Sequence, residues 1–225
     1  VWARYGAVWH LSETSGGAVD STGNGNTGTY QGNLPNQVTG KIGTAQDGDG
    51  NGDYVDAGDD ASMEAGPSLT VTGWMNNDSY NSSFNDLISK WNDGNVNNRA
   101  WSISIDGGNG TVPRLLYSED GSNTRDILLS STPSTNDWHY YAFGYNDSSG
   151  TIDFRVDAGS QSQQVSYSQG LSDEPSPVQI FTGVRLRNDK YVDGTIDEVR
   201  ISTEFLSTNW RDTQYNIQDN NASFW

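Results

Sequence analysis

Cysteine is absent from the 225 residues, which excludes disulfides, thiolate metal sites and a cysteine nucleophile. Lysine is scarce, occurring only at Lys41, Lys90 and Lys190. With 12 basic residues against 29 acidic ones the net charge is −17. Such a surface has little to offer the phosphates of nucleic acid or an anionic membrane. No apolar run approaches the roughly 20 residues of a membrane-spanning helix, so membrane insertion is not expected. The only histidines are His10 and His139, both inside strand-like runs, which gives Ser-His-Asp chemistry no support. No signal stretch is visible and Val1 is not an initiator, so the chain reads as a processed or excised piece of a longer exported protein.

Charged residues make up only 18% of the chain, and it carries eight Trp and eleven Tyr. It is therefore a packed domain rather than an acidic tail. Twenty-six glycines, with abundant Asn, Ser and Thr, punctuate at least ten short strand-like runs, the mark of an all-β, two-sheet antiparallel sandwich. One domain over residues 1–225 is the simplest reading. In residues 5–13 Val8 and Leu11 are expected in the core. In 68–76, Leu69, Val71 and Gly73 share one face and Thr70, Thr72 and Trp74 the other. Residues 84–92 and 100–106 follow as strands. Hairpins are expected for 112–118 with 126–131 around EDGSNT, for 137–146 with 151–159 across DSSG, and for 178–186 with 194–202. Residues 205–218 read as a short C-terminal helix, capped by Ser207 or Thr208, with Trp210, Tyr215 and Ile217 packing back.

The stretch 194–202, GTIDEVRIS, carries charge on both faces of one alternating run. Simple alternation sets Ile196, Glu198 and Arg200 against Asp197, Val199 and Ile201. Acids half-buried in a sheet need cations or N–H donors. Asp197 is a candidate metal-facing oxygen and Glu198 a structural acid paired with Arg200 or a backbone group; an edge strand with solvated charges is the alternative. The Gly- and Asn-rich loops at 14–33 and 40–58 offer Asp20, Asp47, Asp49 and Asp53 as oxygen ligands, or plain turn chemistry. Neither loop has the spacing of a helix–loop–helix calcium site, and DGDGNGD occurs once where a β-roll needs stacked copies.

The segments AVWHLSETSGGAVDSTGNGNTGTYQG, GKIGTAQDGDGNGDYVDAG, SLTVTGWM, LISKWN, DWHYYAFGYNDSSGTIDFRVD and GTIDEVRIS, in that order, resemble laminin-G-like domains of the concanavalin A-like lectin-glucanase kind, as found in prokaryotic surface proteins. The resemblance implies a jelly roll of two stacked antiparallel sheets with a helical tail. It also implies one calcium ion on the convex side, which falls here on Asp197, Asp20 and Asp49. Gly48 departs from the apolar residue usual in relatives.

Function follows from that resemblance and from the aromatics. A non-catalytic extracellular module for glycan binding or adhesion would use exposed rings beside polar groups. Trp91, Arg99, Trp101, Tyr117 and Tyr191 are the candidates, with a core role as the alternative for the rings. Partners would be glycans or other cell-surface proteins. Self-association into a filament or surface layer is the second reading. A glucanase would need an E-x-D-x-E strand, which is missing; Asp193, Asp197 and Glu198 are the nearest cluster. Sequons stand at Asn77, Asn81, Asn109, Asn146 and Asn221, and would mark exposed loops if glycosylated.

Overall fold

The computed structural model describes residues 2–80, 84–92, 94, 98–167, 170–182 and 191–220. Numbered in chain order, one antiparallel sheet holds β1 (Tyr5–Trp9), β3 (Gln37–Thr39), β4 (Thr44–Asp49), β6 (Ser68–Asn77), β11 (His139–Asn146), β12 (Thr151–Val156), β13 (Gln161–Ser166) and β15 (Asp193–Ser202). Its order is β13-β12-β11-β6-β15-β4-β3, with β1 also on β15. The second sheet holds β2 (Thr29–Gln31), β5 (Tyr54–Asp56), β7 (Phe84–Asn92), β8 (Asn98–Asp106), β9 (Val112–Tyr117), β10 (Arg125–Leu128) and β14 (Val178–Ile180). Its order is β10-β9-β8-β7-β14-β5-β2. The chain closes on a helix, α1 (Thr208–Asp219). This is the two-sheet jelly-roll sandwich expected.

Register explains the packing. Across the seven-stranded sheet one row runs Ile127, Leu115, Ile103, Ile88, Ile180, Val55 and Tyr30. Its six aliphatic members lie in the main core and Tyr30 packs against them. Directly paired residues share a face, so this row defines the inner side. In the other sheet the matching row is Phe154, Phe143, Val71, Ile201 and Ala7, again all core. Trp101 meets Phe143 across the gap, ring centroids 6.0 Å apart. Burying each large side chain contributes roughly 1.5–3 kcal/mol, so these rows hold the two layers together.

Both turn-defined hairpins form, β9 with β10 and β11 with β12. β6 alternates as expected, and its outer Trp74 lies under α1, stacked on Tyr215 at 5.4 Å. Other expectations need correction. β14 does not pair with β15: it lies between β7 and β5 in the opposite sheet, and residues 183–186 fall outside those described. In β1 the core positions are Ala7 and Trp9, followed by Leu11. Val8 is buried on the other face, opposite Arg200. β15 does not alternate through its middle. Its register slips between Asp197 and Arg200 because Glu198 takes a left-handed backbone, φ 53°. That bulge puts Ile196 and Val199 in the core while Asp197, paired with Trp74, faces outward. In α1 Ser207 caps, accepting from the Trp210 N–H at 3.3 Å. Trp210 and Ile217 are largely exposed, and the helix buries Arg211 and Gln218 instead.

Candidate functional site

A cavity of about 530 Å³ opens at the start of β1. Trp2, in the turn before that strand, and Tyr5, its first residue, supply two rings set edge to face at 5.5 Å. Arg200 lies over the Trp2 ring at 5.3 Å and His10 beside it at 5.7 Å. Arg200 and His10 are both held by Glu198, the latter at 2.6 Å. Burial works to raise the Glu198 pKa, but His10 and Arg200 win and hold it below the usual range. The same contact lifts His10 above 6.5. The expected pairing of Glu198 with Arg200 is therefore present, and it fixes an aromatic wall from behind.

The loop after β1 supplies the cavity's polar side. Asp20 organises it by accepting from Val8 N at 3.1 Å, Thr22 N at 2.9 Å, Thr22 Oγ1 at 2.8 Å and Asn26 N at 3.1 Å. Asn24 then reaches back to the Gly6 carbonyl at 2.9 Å, and Asn26 ties Gly6 to Ser62 at 2.8 Å each. Gly6 is required here, because a Cβ would stand 1.8 Å from the Ser62 carbonyl oxygen. Glu64 and Asp173 complete the wall. Glu64 Oε2 is buried without a protein partner, and burial, then Asp59 and Glu174, raise the Asp173 pKa. Rings beside acceptors and amides suit a ligand with both C–H faces and hydroxyls. A second cavity of about 400 Å³, between the ends of β10 and β13, has only Leu, Ser, Gln and Gly in its wall.

The five ligand residues named from sequence do not converge. Trp101 is a core residue, as is Tyr117, so neither ring is a binding face. Trp101 shares its period with Ile103 and Ile105, a signal that could have placed it. Trp91 is only 2% exposed and packs on Leu116 away from the main core. Arg99 lies 5.8 Å over Trp91 and donates to the Ser122 carbonyl at 2.8 Å. Tyr191 is half-buried against Tyr54 at 6.4 Å. The outer face of the seven-stranded sheet carries the polar row Ser102, Ser89 and Gln179, but all three are buried.

The three carboxylates expected at calcium are not one ligand set. Among the described residues no three His, Asp or Glu side chains gather as a metal group. Asp20 is taken up by the donors above. Asp49 accepts from Asn33 Nδ2 and Asn51 N, both at 2.9 Å. Nearby Asp53 accepts from Asn33 N, and Asp47 from Thr195. Asp197 alone fits in part. Its Oδ2 accepts from Ile42 N at 2.9 Å while its Oδ1 is buried with no partner. Burial pushes its pKa up to about 7, which a cation would reverse.

One alignment that two lone histidines did not promise does occur. His139 Nδ1 meets Asp157 at 2.7 Å and Nε2 meets Ser134 Oγ at 3.0 Å. Asp157 also accepts from Tyr140 N and Ser134 also donates to Asp137. The group braces an exposed corner and lines neither cavity described above. Of the sequons, Asn77 is buried and so cannot carry a glycan in the folded chain. Asn109 is exposed and Asn146 half-buried; Asn81 and Asn221 lie outside the described residues.

Two facing antiparallel sheets, with an aromatic-walled cleft at one end, define a lectin-like jelly-roll binding domain. Residues 49–210 match the family model of the Concanavalin A-like lectin/glucanases superfamily, and the chain belongs to that superfamily. No curated protein matches it by sequence. Among solved structures it is similar to the binding domain of Paraclostridial Mosquitocidal Protein 1 (TM-score 0.75, 15% identity, covering 96% of this chain and 53% of that one). It is also similar to domain 4 of AbnA, a GH43 extracellular arabinanase from Geobacillus stearothermophilus, solved with arabinotriose (0.68, 18%, 95% and 98%). A third is the ligand binding domain of botulinum neurotoxin serotype D, solved with N-acetylneuraminic acid (0.66, 14%, 95% and 50%). The chain thus spans about half the length of the two toxin binding domains. Among the described residues no helix is long and apolar enough to cross a membrane.

Proposed function

We propose that this chain is a non-catalytic, extracellular module that binds glycans in the cleft walled by Trp2, Tyr5, Asn24, Glu64 and Asp173. The observation that carries the reading is the braced Trp2 ring beside the polar side chains of Thr22, Asn24 and Asp173, a combination the second cavity lacks. The glycans seen with arabinanase domain 4 and the neurotoxin domain support a sugar as the ligand class. The two acids in the wall, on a chain of net charge −17, favour a neutral oligosaccharide over a sialylated one. The extracellular setting is supported by the relatives, which are toxin binding domains and part of an extracellular enzyme. Calcium stabilisation would draw on Asp197, whose Oδ1 is buried without a partner.

A glycan array followed by calorimetric titration tests the reading. Neutral oligosaccharides are expected to bind, and Trp2→Ala to weaken them about tenfold, the effect of losing about 1.4 kcal/mol of ring contact. A folded protein that binds no sugar overturns the function, and unchanged binding by Trp2→Ala overturns this cleft as its site.

A further inference from the structure

We propose that Lys90 and Asp59 become joined by an intramolecular isopeptide bond, with Glu64 carrying the proton. Lys90, in β7, pairs in register with Trp101 and Val178 and is 1% exposed. Its Nζ donates to Asp59 Oδ1, to the Ser176 carbonyl at 3.0 Å and to Glu64 Oε1 at 3.3 Å. An amine, a carboxyl carbon to attack and a second carboxyl to move protons thus meet at one place, around a buried lysine. Asp59 alone would satisfy a structural ion pair. It leaves unexplained why a second acid stands in the same place with its Oε2 buried and unpartnered. Burial also lowers the Lys90 pKa, against the pull of Asp59, which favours the neutral, nucleophilic amine.

The chemistry balances without a further reagent. The Lys90 Nζ lone pair attacks Cγ of the protonated Asp59 carboxyl, forming the C–N bond. Glu64 carboxylate takes one proton from the nitrogen and returns it to an Asp59 oxygen. The C–O bond breaks and that oxygen leaves as water, regenerating Glu64. Holding the groups in contact replaces a bimolecular encounter, and burial of the Lys90 side chain disfavours its charged form. Asp59, 32% exposed, gives the departing water a path out. The amide would tie β7 to the segment that follows β5.

The chain itself supplies the test. Its two methionines are Met63 and Met75, so cyanogen bromide places Asp59 on fragment 1–63 and Lys90 on fragment 76–225. With no cysteine present, no disulfide can hold the fragments together. The intact protein is expected to be lighter than its sequence by one water, and the two fragments to run as one species on a denaturing gel. Lys90→Arg, which keeps a cation against Asp59, should show full mass and separate fragments, and Glu64→Gln should do the same. Separate fragments from the parent protein overturn the proposal. So does a lost water with separated fragments, which would mark a cyclised Asp-Gly step. Linked fragments from Glu64→Gln would overturn the part given to Glu64. None of these readouts depends on sugar binding.

Discussion

Asp197 shows what burial does to one carboxylate. It alternates with the core residue Ile196 and so faces outward under the 40–42 turn, and the left-handed backbone at Glu198 then returns Val199 and Ile201 to the core. Gly40 lies so close that a Cβ there would come within 2.6 Å of Asp197 Oδ2. Without a cation, the folded state holds a proton up to about pH 7, where an ordinary aspartate releases it near 3.8. A raised acid pKa means the folded state binds the proton more tightly, so stability falls as pH rises from about 4 to about 7 and stays low above. The gap corresponds to roughly 4 kcal/mol as an upper bound. In chelator, Asp197→Asn should therefore melt above the parent at pH 8 and level with it at pH 4. With calcium the parent alone should gain stability. A variant–parent difference that does not grow with pH removes the burial cost, and a parent melting equally with and without calcium removes the ion.

At the scale of elements, the helix dock separates what the sequence reveals from what it hides. Hairpins were legible because their turns are local: DSSG and EDGSNT bend the chain whatever surrounds them. The clean alternation of β6 was legible too. The sheet that β14 joins was not, since its partners β7 and β5 lie far off in the chain and nothing in VQI names them. Nor was the buried side of α1, because beside the aromatic cluster that receives Tyr215 the sheet face offers Asp153 and the Trp74 indole N–H to polar helix residues. Arg211 makes a two-pronged pair with Asp153 at 2.6 and 2.7 Å, and Trp74 Nε1 donates to Gln218 at 2.5 Å. Gly144 leaves room for this, as a Cβ there would meet Asp153, Phe205 and Arg211 at 2.8–3.0 Å. Asp153→Ala would leave the guanidinium buried and unpaired, a loss expected at about 3–5 kcal/mol in denaturant titration. Adding Arg211→Met should restore most of it; a double variant as weak as the single one would mean the pair is not the cause. Trp2 and Tyr5, the cleft's rings, gave no spacing signal. They matter because Glu198, nearly two hundred residues on, holds Arg200 and His10 behind Trp2.

The whole molecule carries 29 acids and 12 bases, and several of those bases are spent in buried or half-buried pairs. Arg114, Arg200 and Arg211 each meet an acid partner inside or at the edge of the fold. The acids left over face water with few cations between them, and acidic neighbours add to the rise in the Asp47 and Asp173 pKa values behind the larger effect of burial. Self-repulsion of this kind opposes the compact state. Exposed pairs such as Arg4 with Glu204 gain little that salt could take away. Between about 0.01 M and about 1 M salt the screening length falls from about 30 Å to about 3 Å, so the repulsive sum should fade faster than the short buried pairs. The melting temperature is therefore expected to rise with sodium chloride over that range at pH 8 in chelator, where every exposed acid is charged and no divalent ion is bound. A melting temperature that falls with salt would show that attractive pairs, not excess acid, dominate this surface. The preference for neutral sugars, which rests on the same excess, would then lose its electrostatic ground.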